Sequence, residues 1–166
     1  MMGHNMARRT VGPAAKWFDD LRLGDVFETQ GRTVTDVELT QWAMFTGDMN
    51  PMHVDDVFAR EHGLYGGRFP PGLMAVAVAS GLNERLGLFS GTGLAMRSQT
   101  IRYLTPVLCG DTIRVTITVL ELSPHPSKAR GIVEFGYQIL RGDDTCCVEG
   151  EWTIVLASRA PATHSQ

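Results

Sequence analysis

The residues best suited to chemistry in this chain lie between Thr46 and Ser80. The stretch Thr46-Gly47-Asp48-Met49-Asn50-Pro51-Met52-His53 sets a carboxylate and an imidazole five residues apart across a turn. Such a pair can take and return a proton, provided both groups reach the same water or substrate atom. Pro51 fixes its own φ and pushes Asn50 away from the α region, so the turn is stiff. Asn50 brings an amide that can bind backbone or substrate, which is a positioning role. A second feature follows at Pro70-Pro71-Gly72, where the pattern predicts the start of a helix. The first N–H groups of a helix lack internal partners and carry the positive end of its dipole. Glycine lets a carbonyl approach closely, so the Gly72 N–H can stabilise an oxygen that gains negative charge. Ser80, two turns on, falls on roughly the same helix side as Leu73 and Val76.

These groups need a scaffold, and the hydrophobic pattern supplies one. Asp25 to Thr35 is rich in β-branched residues and breaks at Gln30-Gly31, the mark of a strand or hairpin arm. Thr35 and Glu38 form a capping box that opens a helix, with Leu39, Trp42 and Ala43 on one face and a stop near Gly47. Asp55 to His62 predicts a second short helix, ended by Gly63. Gly72 to Phe89 predicts a longer one, apolar on every side in its first half, as a helix buried all round would be. From there the period changes to two. Ile113 to Val119, Val133 to Ile139 and Cys146 to Leu156 alternate as antiparallel strands with one buried face. Ala95 to Leu104 makes a fourth, less regular strand. One buried helix followed by strands predicts an α+β domain in which a curved antiparallel sheet wraps the helix.

Composition narrows the function classes. With 166 residues and 43% apolar side chains, the chain suits one globular domain, over residues 17–157. Residues 1–16 and 158–166 are expected to be a flexible N-terminal segment and a flexible tail. A net charge of −3 lacks the basic footprint of a nucleic-acid binder. No apolar run approaches the ~18 residues of a membrane span or forms a signal-peptide core. Cys109, Cys146 and Cys147 have no CxxC spacing, and a reduced, cytoplasmic setting is the simplest reading. Asp48, His53, Asp55 and Asp56 offer donors, but successive helix residues diverge, so no metal site is expected. Asp55 and Asp56 read more simply as first-turn residues favoured by the helix dipole.

The array Asp48-x-Asn50-Pro51-x-His53, followed by Pro71-Gly72-Leu73-Met74 and Ser80, resembles the MaoC-like (R)-specific enoyl-CoA hydratase/dehydratase family. The later Arg102-Tyr103-Leu104-Thr105-Pro106-Val107 and Gly110-Asp111-Thr112 strengthen the likeness, which runs from about Trp17 to Leu156. The resemblance implies a hot-dog fold and reversible hydration of a trans-2-enoyl thioester to an (R)-3-hydroxyacyl thioester. It implies that Asp48 and His53 are catalytic, and that Asn50, Gly72 and Ser80 bind substrate or order the water. It implies no cofactor or metal beyond the coenzyme A or acyl-carrier thioester itself, and a homodimer or an oligomer of dimers. Arg68, Arg97 and Arg102 are candidates for coenzyme A phosphates or else ordinary surface cations. Two other functions use the same fold: an acyl-CoA thioesterase and a non-catalytic acyl-CoA-binding subunit.

Overall fold

The computed structural model describes residues 14–126 and 128–159, so the expectations for 1–13 and 160–166 lie outside it. The described ends are tied down. Lys16 N–H donates to Leu88 O at 2.9 Å, Ser158 N–H donates to Ala129 O at 2.9 Å, and the Arg159 guanidinium pairs with Asp20.

After a 3-10 turn at Phe18–Asp20 come β1 (Val26–Glu28), β2 (Arg32–Thr33), α1 (Asp36–Thr46), α2 (Pro51–Val54) and α3 (Asp56–His62). Helix α4 (Gly72–Leu86) follows, and then β3 (Gly93–Gln99), β4 (Arg102–Tyr103), β5 (Thr112–Pro124), β6 (Arg130–Arg141) and β7 (Cys146–Ala157). All seven strands join one antiparallel sheet ordered β1-β5-β6-β7-β3, with β2 also on β5 and β4 also on β7. Register shifts in the β5–β6, β6–β7 and β3–β7 pairs mark bulges, which sharpen twist and let the sheet curl.

The alternation read from the sequence decides which face is wet. Ile113, Val115, Ile117, Val119, Val133, Phe135 and Ile139 are all 1% exposed or less. They pack against Met74, Ala75, Val78, Ala79 and Leu82 of α4, forming one core with the helix lying in the concave sheet. Each such aliphatic or aromatic side chain contributes about 1.5–3 kcal/mol of burial. This is the hot-dog arrangement.

Two details differ from expectation. Helix α4 is not buried all round: Leu73, Ala77, Ser80 and Gly81 form an exposed stripe, because the sheet covers only one side of it. The strand expected over Ala95–Leu104 is two strands, broken at Thr100-Ile101. There Thr100 N–H donates to Glu151 O, its hydroxyl accepts from Glu151 N–H, and its carbonyl accepts from the Tyr137 hydroxyl. Gly150 makes the crossing possible, since any Cβ at that position would overlap the Thr100 carbonyl. Along β3 all seven residues are exposed, Leu94 and Met96 among them. No helix among the described residues is long and apolar enough to cross a membrane.

Candidate active site

The site begins where α1 ends. Thr35 caps α1 through its side chain, with Glu38 reaching back to the Thr35 N–H, as the capping box predicts. Gly47 closes the helix at φ 74°, a left-handed conformation that glycine adopts at little cost. The next residue is Asp48. Its N–H donates to Thr46 Oγ1 at 3.2 Å, and its Oδ1 accepts the Asn50 N–H at 3.3 Å. Asn50 Oδ1 in turn accepts from Met52 N–H at 3.1 Å and caps α2, with Pro51 in its first turn. Three short side chains thus spend their polar groups on the turn itself. The result is a rigid mount that presents His53.

His53 is 8% exposed. Its Nδ1 lies 2.7 Å from the carbonyl oxygen of Phe69, and the two rings meet edge to face at 5.2 Å. A carbonyl only accepts, so Nδ1 carries the proton and Nε2 of the neutral ring keeps its lone pair. That Nε2 faces Asp48 Oδ2 at 3.9 Å. The separation is too long for a direct hydrogen bond but right for one oxygen seated about 2.8 Å from both. Both groups accept, so a water there would donate to each and turn its own lone pairs outward.

Phe69 connects this pair to the second feature. It lines a cleft of about 440 Å³ together with Tyr65, Leu73, Tyr103, Leu104 and Gly72. Among the described residues no charged side chain lines that cleft. Gly72 is the first residue of α4, and its N–H has no acceptor inside the helix. The Tyr103 ring lies directly against its Cα, where any Cβ would overlap the ring. The cleft therefore offers a backbone donor at the positive end of a helix, walled by apolar side chains.

Comparison with known proteins identifies the family. The MaoC like domain matches residues 20–135, which include Asp48, His53 and Gly72. The chain belongs to the MaoC-like dehydratase family. It is 33% identical over 115 residues to the 3-hydroxybutyryl-CoA dehydratase of Methylorubrum extorquens, covering 69% of this chain and 70% of that one. It is 27% identical over 150 residues to the (R)-specific enoyl-CoA hydratase of Rhodospirillum rubrum, covering 86% of this chain and 93% of that one. A Mycobacterium tuberculosis protein with a double hot-dog fold superposes with a TM-score of 0.77 at 20% identity, covering 92% of this chain and 47% of that one.

Within this MaoC-like chain, three candidates from the sequence stand apart from the pair. Ser80 lies eight residues past Gly72, about 12 Å along the axis. It is exposed and makes no hydrogen bond to Asp48 or His53. Arg102 faces Glu149 at 3.2 Å. Arg68 is engaged by carboxylates: its Nη2 sits 2.8 and 3.0 Å from the two oxygens of Asp36, and its Nε 3.0 Å from Asp56 Oδ1. Burial works against its charge, but the Asp56 and Asp36 carboxylates outweigh that and hold its pKa above the usual arginine range. Among the described residues no three His, Cys, Asp or Glu side chains converge to hold a metal ion. Asp55 is occupied capping α3 and Asp56 is held by Arg68.

Two groups at the site left little trace in the sequence. The Phe69 carbonyl is backbone, which any residue would supply. The partners of Arg68 lie 12 and 32 residues away, beyond any local pattern.

Proposed function

We propose that this protein adds water reversibly to a trans-2-enoyl-CoA thioester, giving the (R)-3-hydroxyacyl-CoA, in keeping with the names of its relatives. The observation that carries this reading is the free Nε2 of His53 facing Asp48, joined through Phe69 to a cleft that holds the Gly72 N–H. Water held between the pair attacks Cβ while His53 Nε2 takes one of its protons. The π electrons of the double bond move through Cα onto the thioester oxygen, where the Gly72 N–H donates. The enolate then collapses and the same proton passes to Cα. One O–H bond and one π bond are lost; a C–O and a C–H bond form.

Asp48 orients the water and stabilises the imidazolium. Asn50 keeps the mount rigid. The thioester itself makes Cα acidic, so the reaction calls for no further cofactor. The exposed β3, with Leu94 and Met96 on it, supports pairing with a second copy into a homodimer.

The test is loss of the conjugated enoyl-thioester absorbance with purified protein, repeated with Asp48→Asn and His53→Ala. Wild-type rates in both variants would sink the assignment. Release of free thiol without hydration would replace it with a thioesterase. Tight acyl-CoA binding with neither reaction would mark a binding subunit.

A further inference from the structure

Arg68 stands on the segment between α3 and α4 and grips the first residue of each of two helices, Asp36 of α1 and Asp56 of α3. Its side chain is 18% exposed, while Asp36 and Asp56 are 59% and 51% exposed. A planar guanidinium can meet two carboxylates on different edges at once, and an ammonium cannot reproduce that fork. The consequence lies in the next four residues. Phe69 supplies the carbonyl that holds His53 Nδ1, and Gly72 supplies the N–H at the head of α4. Between them, Pro70 and Pro71 have fixed φ, and each restricts the residue before it to extended backbone. The run from Arg68 to Gly72 is therefore a stiff arm with one anchored end.

We propose that Arg68 is a positioning residue for the reaction: it pins this arm to α1 and α3 so that the Phe69 carbonyl and the Gly72 N–H keep a fixed relation to Asp48 and His53. It touches neither water nor thioester. Helix α1 leads directly into the Asp48 turn, and α3 follows directly from the His53 turn. The ion pair with Asp56 therefore braces the His53 flank directly, and the pair with Asp36 holds the far end of α1, about 15 Å along the helix from the Asp48 turn, as well as the arm opposite. This inference rests on the hydratase reading for its kinetic part, while its structural part stands alone.

The experiment compares Arg68→Gln with Arg114→Gln in the full chain. Arg114 is a matched control, since it also bridges two carboxylates, Glu28 of β1 and Asp144 of the β6–β7 turn, away from the cleft. Two readouts are taken: kcat and KM for hydration, and the imidazole ¹⁵N–¹H spectrum of His53. We expect Arg68→Gln to lower kcat about 100-fold with KM changed less than about threefold. Its His53 spectrum should pass from the Nδ1–H tautomer to a mixture. Asp56→Asn, which leaves the Asp36 contact, should show a smaller loss of the same kind, and Arg68→Lys only partial rescue. Arg114→Gln should leave both readouts as in the wild type.

Equal loss of kcat in the two arginine variants would overturn the proposal, as would an unchanged His53 tautomer in Arg68→Gln. If Arg68→Gln fails to fold, the milder Asp56→Asn decides by the same readouts. Should the wild type hydrate no enoyl thioester, the tautomer measurement still tests the arm while the proposed function falls.

Discussion

The Phe69 carbonyl, 2.7 Å from His53 Nδ1, determines which nitrogen of that imidazole is a base. Without that acceptor the ring could place its proton on either nitrogen, and the Nε2–H form would present an N–H to Asp48 instead of a lone pair. The contact joins the α2 turn to the segment before α4, and so joins the acid–base pair to the helix start at Gly72.

Asp48→Asn and His53→Ala should each reduce kcat/KM for enoyl-thioester hydration by roughly 10²–10⁴. In the proposed reaction the two groups act on one water, so the double variant should fall little below the worse single variant. Steady-state rates for the three variants check this. A double variant whose loss equals the product of the single losses would mean that the residues work independently.

Gly72→Ala should lower both stability and activity, since the new methyl would overlap the Tyr103 ring. Overpacking of this kind costs about 1–3 kcal/mol. Adding Tyr103→Ala should recover most of the lost melting temperature. Thermal unfolding of the single and double variants measures it, and a double variant no more stable than Gly72→Ala would show that Tyr103 is not the obstruction.

Gly150→Ala and Gly136→Ala make a contrasting pair on neighbouring strands. At Gly150 a methyl would overlap the backbone carbonyl of Thr100, which accepts from the Tyr137 hydroxyl and cannot retreat because the Thr100 N–H and hydroxyl are both bonded to Glu151. At Gly136 the nearest atom is Leu120 Cδ1 at 3.1 Å, the end of a mobile side chain. Gly150→Ala should therefore be lost to aggregation or melt far below the wild type, while Gly136→Ala should express and shift only slightly. Soluble yield and melting temperature decide.

The three thiols should resist alkylation at neutral pH. Burial pushes all three above their ordinary value, so each is protonated at pH 7 and yields thiolate only as the pH rises. Cys147, fully buried, should be the slowest of the three, with Cys109 and Cys146 reacting first. Mass mapping of iodoacetamide adducts between pH 7 and 9.5 tests the order, and early labelling of Cys147 would contradict it.

Much of this was legible in the sequence, wherever the signal is local. Thr35 and Glu38 announce the start of α1 because both halves of a capping box lie within one turn. The alternation from Ile113 to Val119 names the inward face of β5 because period two is set by the backbone alone. Asp48, Asn50, Pro51 and His53 stand out for the same reason, being one short turn. Where non-local contact decides, the sequence is silent. The break at Thr100 follows from Gly150 and Tyr137, about 50 and 37 residues away. Arg68 looks like any surface cation until Asp36 and Asp56 are brought to it. The exposed stripe on α4 could not be told from a buried one, since Leu73 and Ala77 are as apolar as Met74 and Ala75.

The stretch from Phe69 to Gly72 contributes to the site through main-chain atoms, which no substitution short of proline at position 72 deletes. Drift in this lineage can therefore change the residues nearest the reacting carbon while leaving the donor and the acceptor in place. An inactive descendant would be recognised less by what stands at position 69 than by whether an arginine and its two carboxylates survive at 68, 36 and 56. Comparison of side chains around the cleft alone would overlook that loss.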